Sequence, residues 1–344
     1  MTAAQQLEAF KALLARLEPD VAKAFLDAVA AASGAIDIKA LTAAIASGRI
    51  EEAIRIVQQA RALFFPLDDA IRAAYIAGGQ FVMENLPTLR NPLNGTRILI
   101  SFDGRHTRAE QWSRRQGELV IDAIIEGQGE AARTMITAGI QSNRSPSAIA
   151  RDLAGRKNLL TGKREGGIIG LNASQTDTLI ASRQDLATGT PASLRRYLSR
   201  GSRDKSFDGT IKAVIDGRTT LEKDLLERIV ESQKSKMLIA RAKTIAQDQA
   251  YTALSAGQHE GWGQAIESGA TKAGDVTKRW QHNHNVPARP DHQQMNGTVV
   301  TFNEPFQMPD GSRMQHDHDP AGGVRNVTNC HCSTFYRLRK GRDA

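Results

Sequence analysis

Cysteine is scarce in this 344-residue chain, which contains only Cys330 and Cys332, separated by a single residue. Two cysteines this close cannot easily bridge each other, so a disulfide framework is excluded. Long apolar runs are also missing: no stretch of eighteen apolar residues occurs, so we expect no membrane-spanning helix and no membrane partner. The first ten residues, MTAAQQLEAF, have neither the basic nor the apolar part of a secretory signal. We therefore expect synthesis in the cytoplasm.

Aromatic residues are few, at 5%, while apolar residues make up 40% of the chain. The abundant alanine predicts helices that pack through small side chains. The length exceeds the size at which a single hydrophobic core usually stops growing, so we expect at least two domains. We predict a mainly α fold with a helical domain over residues 1–88 and a middle helical region over 89–270 that has basic loops and a long helix. A small, β-rich α+β domain is predicted over 271–344.

Several capping and breaking residues predict where helices begin and end. Asp37 is a predicted N-cap, and Ser145 with Pro146 forms a predicted cap and first helical residue. Pro19 is predicted to start a second helix, and Pro66 to stop a helix that begins at Ile50. The longest predicted helix runs from Thr219 to about His259, where an apolar stripe recurs at helical spacing.

The net charge of +8 is unevenly distributed. Residues 1–89 hold eight Lys and Arg against ten Asp and Glu, so the basic excess lies in the rest of the chain. A local basic excess indicates contact with a polyanion, although a charge that only favours solubility is the alternative. Two basic clusters could bind phosphates without reading sequence. Their candidate DNA-contact residues are Arg144, Arg151, Arg156, Lys157, Lys163, Arg164, Arg195 and Arg196.

The segment from Lys278 to Cys332 contains both cysteines and six of the eight histidines. In an extended chain, residues i and i+2 point to the same face, so both sulfurs can meet one ion. A structural zinc ion held by His292, Cys330 and Cys332 is one interpretation of this pattern. The fourth ligand is left open among His282, His284, His316 and His318. The alternative is that the thiols are small buried residues and the histidines ordinary polar groups.

Catalytic motifs are not found in the sequence. There is no nucleophile elbow or phosphate loop, and His259-Glu260 is followed by Gly263 where a zinc protease motif needs histidine. We assign no catalytic residues and expect no enzyme. A zinc-dependent hydrolase, either a nuclease or a cell-wall enzyme, is the alternative function. Zinc held by two thiolates is usually structural, which disfavours this alternative.

The same segment resembles the C-terminal domain of phage head morphogenesis proteins, the Mu F-like minor capsid proteins. The resemblance covers some fifty residues in matching order and spacing. The residues that carry it are Trp280, Arg289, His292, Gly297, Glu304, Phe306, Asp319, Pro320, Asn329, Cys330 and Cys332. The arginine that the family usually has between the two cysteines is His331 here.

The resemblance implies a virion protein rather than a metabolic enzyme. It implies a minor head protein present in few copies, associated with the portal and with other capsid or scaffold proteins. Such a protein is assembled in the host cytoplasm and lies inside the head near the portal vertex. Contact with packaged double-stranded DNA is also implied, which agrees with the basic excess.

Overall fold

The computed structural model describes residues 3–58, 61–86, 89–90, 94–98, 100–158, 162, 164–282 and 289–339. Within these ranges the fold is mainly α, with small antiparallel sheets near the C-terminus, which confirms the predicted fold class. His284 and Lys163, which the sequence singled out, lie outside the described residues.

The helices differ widely in length, and the two longest have 35 and 45 residues. They are α1 (Ala3–Ala35), α2 (Ile38–Ala46), α3 (Ile50–Gln58), α4 (Phe65–Asn85), α5 (Thr107–Gln141), α6 (Pro146–Ala154), α7 (Ala173–Thr188), α8 (Pro191–Ser199), α9 (Asp208–Ile215), α10 (Lys223–Glu267), α11 (Pro290–Gln294) and α12 (Gly323–Val327). Short 3₁₀ turns cover Arg61–Phe64, Lys205–Phe207, Ala273–Asp275 and Pro320–Gly322.

All the strands are short, and every pairing is antiparallel. They are β1 (Leu89–Arg90), β2 (Arg97–Ile98), β3 (Arg156–Lys157), β4 (Arg164–Glu165), β5 (Val276–Gln281), β6 (Val299–Thr301), β7 (Phe306–Gln307), β8 (Arg313–Met314) and β9 (Ser333–Leu338). A three-stranded sheet has the order β6-β5-β9, and β7 pairs with β8 in a separate hairpin.

Local capping signals predicted several helix ends correctly. The Asp37 carboxylate accepts hydrogen bonds from the backbone N–H groups of Lys39 and Ala40 and caps α2. The Ser145 hydroxyl accepts from the Ala148 N–H at the start of α6. These predictions succeed because a cap depends on groups only a few residues apart.

Two proline boundaries were predicted wrongly. Pro19 lies inside α1, which continues without a break to Ala35. Pro66 is the second residue of α4 and therefore begins a helix rather than ending one. Proline is well tolerated in a first turn, where its missing N–H would have no helical partner. Pro19 removes a helical hydrogen bond inside α1. The packing of Val21 and Phe25, which follow it and are fully buried, offsets this loss.

The described residues cluster into two compact units, each built from segments far apart in the chain. Unit 1 comprises Met1–Lys23, Leu67–Glu118 and Lys243–Ala344, and unit 2 comprises Ala24–Pro66 and Leu119–Ala242. The predicted domain boundaries near residues 88 and 270 follow local sequence patterns and stay a prediction. Among the described residues, no single helix has the length and hydropathy to cross a bilayer. The bent pair Gln5–Ala35 and Ile38–Ala46 meets those two criteria by length and composition only.

The helical part of unit 1 contains an unusually close helix crossing. Gly78 of α4 and Gly257 of α10 each face the backbone of the other helix, with no side chain between them. A second cluster, formed by Phe10, Leu14 and Tyr251, packs α1 against α10. These contacts fix the part of α10 that faces the C-terminal sheet.

Strand β5 is the centre of the C-terminal sheet. It pairs with β9 from Val276 opposite Leu338 to Gln281 opposite Ser333, and with β6 on its other side. Its inward residues are Val276, Lys278 and Trp280, all fully buried. The alternation follows from the period of two along a strand.

Lys278 is an unusual inward residue because it carries a charge. Its Nζ donates to Gln315 O at 2.9 Å and to Gln315 Oε1 at 2.8 Å, and it lies over the Phe306 ring at 5.5 Å. Burial lowers the pKa of Lys278 from 10.5 to about 8, although the carboxylates of Asp319 and Glu304 oppose this shift. Folding therefore makes the neutral amine more accessible than it is in the unfolded chain, although the charged form still predominates below pH 8.

Replacing Lys278 by methionine is expected to remove a pH dependence of stability. Between about pH 8 and 10.5 the unfolded chain binds more protons at Lys278 than the folded chain, so wild-type stability rises with pH over this range. Lys278→Met should be the more stable protein below pH 8 and lose this advantage toward pH 10.5. Urea unfolding from pH 7 to 10 measures the difference, with the exposed Lys272→Met as control. Parallel curves for wild type and Lys278→Met would contradict the expectation.

Candidate metal centre

The C-terminal part of unit 1 has its own small core. Trp280 packs with its edge toward Phe306 at 5.3 Å and toward His292 at 5.7 Å between ring centroids. The two cysteines belong to the same buried cluster, which also contains Met295, Met308 and Met314. The cysteines therefore lie against an apolar wall formed by β5 and the β7–β8 hairpin.

The three predicted metal ligands converge in this core. The Nδ1 atom of His292 lies 3.4 Å from Cys330 Sγ and 3.5 Å from Cys332 Sγ, and all three ligand atoms are within 4.8 Å of one another. In a zinc tetrahedron with bonds of about 2.3 Å to sulfur and 2.0 Å to nitrogen, an S-to-N edge is about 3.5 Å. The observed separations match that edge.

Asn326 orients the His292 ring. Its Nδ2 donates to Asp310 Oδ2 at 2.7 Å and to Gly322 O at 3.0 Å, so its Oδ1 is the atom that faces His292 Nε2 at 3.1 Å. His292 Nε2 therefore carries a proton, and Nδ1 is the ring nitrogen that faces the sulfurs. A second hydrogen bond that fixes the tautomer is characteristic of metal-binding histidines.

The two thiols behave as a pair that shares one proton. A hydrogen bond from Cys332 lowers the pKa of the Cys330 thiol well below its ordinary value, and His318 and His292 add to this effect. The same contact with Cys330, together with burial, raises the pKa of Cys332. The backbone N–H of Cys332 also donates to Cys330 Sγ. One sulfur is therefore held as a thiolate next to an imidazole.

A thiolate beside an imidazole can act as a nucleophile, or both can bind a metal. His292 is only 1% exposed, and both cysteines are 2% exposed. A nucleophile or a catalytic zinc needs a position open to substrate, whereas a structural zinc is enclosed by protein ligands. The burial of all three side chains therefore favours a structural role.

The remaining histidines of the segment have different surroundings. The His316 ring contacts Asp317 O at 2.6 Å, and the His331 ring contacts Gln247 Nε2 at 3.0 Å. His282 is buried, and its backbone N–H donates to Asn296 Oδ1. His318 is fully buried and stacks on Tyr251 with 4.7 Å between ring centroids. Among the described residues, none of these four histidines joins the group of ligand atoms from His292, Cys330 and Cys332 that lie within 4.8 Å of one another.

The other motif residues shape the chain around this core. Gly297 has φ of 86° and donates to Trp280 O, which extends the pairing of β5 beyond β6. Asn329 has φ of 51°, a value that asparagine tolerates, and turns the chain into Cys330. Arg289 donates to Thr328 O just before this turn. The Asp319 carboxylate accepts from Gln315 N and also caps the Pro320–Gly322 3₁₀ turn that follows it.

The candidate DNA-contact residues differ in how free their charges are. Arg144 is ion-paired with Asp152, and Arg196 with Asp185. Arg164 is half-buried and donates to Gly155 O at 3.5 Å. The rest of the described candidates are exposed and form no ion pair within the described part of the chain. They are Arg151, Arg156, Lys157 and Arg195.

Sequence reasoning did not single out Asn326, although its side chain is fully buried at the centre of the hydrogen bonds around His292. It lies in the stretch Arg325-Asn-Val-Thr-Asn329, where nothing local distinguishes it from Asn329. Its contact with His292 spans 34 residues. Only the folded arrangement reveals such a partner.

Comparisons with known proteins identify a related family for part of the chain. A family model described as phage Mu protein F like protein matches residues 192–335, which is less than half of the chain. These residues are therefore similar to the phage Mu F-like family. The predicted family is thereby confirmed for this region, and it points to phage head morphogenesis and to the virion as the place of action.

The chain is also similar to a protein whose name assigns no function. Over 95 residues the chain is 36% identical to the uncharacterized protein YqbB of Bacillus subtilis strain 168. That match covers 27% of this chain and 29% of the relative, so it spans less than a third of the relative's length. No solved structure matches the chain.

Proposed function

We propose that this protein is a minor head protein that associates with the portal in few copies and lies inside the head against packaged DNA. The Mu F-like region carries the head assignment. The DNA contact rests on a groove in unit 2. Other capsid or scaffold proteins are further partners in this proposal.

The groove has a volume of about 1530 Å³ and lies entirely within unit 2. Eight basic and four acidic side chains line it, so its formal charge is positive. The basic ones are Arg144, Arg151, Arg156, Lys157, Arg183, Lys223, Arg228 and Lys234. Four of the eight DNA-contact candidates are therefore gathered on one surface.

Part of this positive charge is compensated internally. Arg144 and Arg183 both pair with Asp152, and Lys234 pairs with Glu231. Arg156 and Lys157 of β3 are exposed and are in no ion pair with described residues. Free cations of this kind bind phosphates and release counterions, which gives affinity without base recognition.

Replacing Arg156 and Lys157 together by glutamine is expected to weaken binding to duplex DNA of any sequence. The affinity falls as salt rises, and each lost phosphate contact makes the slope of log affinity against log salt less steep by about one. The slope of the double variant should therefore be less steep by about two. Fluorescence anisotropy at several salt concentrations measures this slope. The control pair is Arg16→Gln with Lys39→Gln, which removes the same charge from exposed positions outside the groove. Equal slopes for the two double variants would reject the groove as the binding surface.

The portal association is tested on particles. We expect density for this chain at the unique vertex in an asymmetric reconstruction of the head, and its loss from procapsids that lack portal. Normal copy number in portal-free procapsids would refute the portal contact and leave the head assignment standing.

The alternative function, a zinc-dependent hydrolase carried in the virion, is disfavoured by the burial of His292, Cys330 and Cys332. A nuclease assay with and without chelator separates the two functions. Turnover that needs the metal would favour the hydrolase.

A further inference from the structure

His318 combines three unusual features. It is fully buried, and within the described part of the chain neither ring nitrogen hydrogen-bonds to a nitrogen or oxygen atom, whereas the Cys330 sulfur interacts with the ring. It also has φ of 56°, a left-handed conformation that only a few per cent of non-glycine residues adopt, although histidine adopts it more often than most. A buried imidazole without a nitrogen or oxygen partner costs free energy, and so does this backbone conformation. Together they indicate that His318 has a role other than packing.

The backbone on both sides of His318 is held in place. Asp317 accepts a hydrogen bond from Ser255 Oγ at 2.7 Å, and its N–H donates to Thr334 Oγ1 at 2.9 Å. Asp319 accepts from Gln315 N at 2.7 Å and from Ala321 N at 2.9 Å. The residue between them therefore keeps its left-handed conformation, and its ring is directed inward onto Tyr251.

The inward ring lies near the cysteine pair. Tyr251 contacts both the His318 ring, at 4.7 Å, and the ring of His331 between the two cysteines, at 5.9 Å between centroids. In agreement with this placement, a protonated His318 lowers the pKa of the Cys330 thiol. Asp248, whose carboxylate accepts from Asn329 N at 2.8 Å, and Asp317 also face this histidine. The ring nitrogens are not within the 4.8 Å spread of the other three ligand atoms, so His318 must shift toward the sulfurs to share an ion with them.

We propose that the C-terminal region of unit 1 holds one structural zinc ion with four protein ligands, His292, His318, Cys330 and Cys332. His292, Cys330 and Cys332 supply a face of the tetrahedron with the correct S-to-N separation. His318 supplies the fourth ligand and completes an enclosed site. Binding requires both thiols to be deprotonated, so the ion displaces the proton shared by the two sulfurs. The ion cross-links α11, the loop before the Pro320–Gly322 turn, and the start of β9.

Metal analysis of the full-length chain, expressed with zinc and purified without a histidine tag, tests the proposal. We expect about one zinc ion per chain. With Co²⁺ in place of zinc, the protein should show the intense visible absorption of a four-coordinate ion together with thiolate charge-transfer bands. A wild-type protein that binds neither ion, even after refolding with zinc, would overturn the site.

The fourth ligand is tested by His318→Asn. Asparagine tolerates positive φ, so this variant keeps the backbone conformation and removes only the imidazole. We expect zinc affinity, measured by competition with a chelator, to fall about 100-fold or more, since even the loss of an outer partner costs 10–100-fold. The Co²⁺ charge-transfer bands should persist while the visible bands change.

The matched control is His331→Gln, which alters the histidine between the two cysteines, whose ring contacts Gln247. It should keep the affinity and spectrum of the wild type. Unchanged affinity in His318→Asn, or an equal loss in His331→Gln, would overturn His318 as a ligand. These measurements are independent of DNA and portal binding, so either proposal can fail without the other.

Discussion

Replacing Gly257 by alanine is expected to unfold the helical part of unit 1 or to lower its free energy of unfolding by about 3 kcal/mol or more. A Cβ atom at this position would lie well inside 3.0 Å of the Tyr75 carbonyl oxygen and close to the Gly79 N–H. These are backbone atoms of α4, which cannot rotate away as a flexible side chain does. The two helices would have to separate, and the buried residues Val82 and Trp262 near the same crossing would lose contact.

Gly263→Ala is the matched control because it lies on the same helix, with no atom nearer than 3.6 Å to its added Cβ. Alanine favours helix over glycine by up to about 1 kcal/mol, so this variant should be neutral or slightly more stable. Circular dichroism during urea unfolding and the soluble yield compare the two. Similar behaviour of both variants would show that the crossing is looser than described.

Replacing Trp280 by alanine is expected to cost about 3–5 kcal/mol, the usual range for a fully buried large aromatic. The indole fills the centre of the C-terminal core, between Phe306, His292 and the cysteine pair. A domain is stabilised by only about 5–15 kcal/mol, so this loss takes a large share of its stability. The cavity would also free the His292 ring from one of its walls.

Hydrogen exchange locates the effect of Trp280→Ala. Amides of β5, β6 and β9 should lose protection, while those of α7 and α8 in unit 2 should keep it. Val299→Ala, on the neighbouring strand β6 and 55% exposed, is the control and should change stability by less than about 0.5 kcal/mol. Full protection of β5 in Trp280→Ala would contradict the central position assigned to the indole.

Both predictions depend on contacts that the sequence does not display. Glycines inside a helix are ordinarily interpreted as weak points, and Gly257 and Gly263 are equivalent on that basis. The structure separates them, because only Gly257 faces another backbone. Likewise, nothing in the sequence tells an exposed tryptophan from one that is 0% exposed, whereas its position on the inward face of β5 does.

Local chemistry determined much of what the sequence predicted correctly. The caps at Asp37 and Ser145 and the mainly α fold all follow from groups a few residues apart or from helical periodicity. The Mu F-like resemblance was also visible, because its motif residues keep their order and spacing. The proline boundaries failed for two reasons. Pro66 lies in the first turn of α4, where a proline can begin a helix as readily as one can end at it. Pro19 lies inside α1, where the packing of the residues beyond it keeps the helix continuous.

The sequence predicted the candidate DNA surface only in part. Clusters of arginine show where positive charge lies in the chain, but not how much of it is free of ion pairs within the protein. Asp185 forms ion pairs with both Arg196 and Arg200, which lie 11 or more residues away in the chain, and Asp152 forms one with Arg144. Folding therefore redistributes the free charge toward Arg156 and Lys157.

By itself, the sequence determined which metal-ligand residue types this protein contains and where in the chain they lie. They are two cysteines separated by one residue and several histidines before them. Tertiary structure alone decided which histidines meet the sulfurs. His292 is brought to Cys330 across 38 residues by Asn326 and the Trp280 wall, while His331, adjacent to both cysteines in sequence, contacts Gln247 instead. The physical reason is that a ligand set is a matter of convergence in space. Convergence depends on packing and hydrogen bonds between segments that the linear order does not relate.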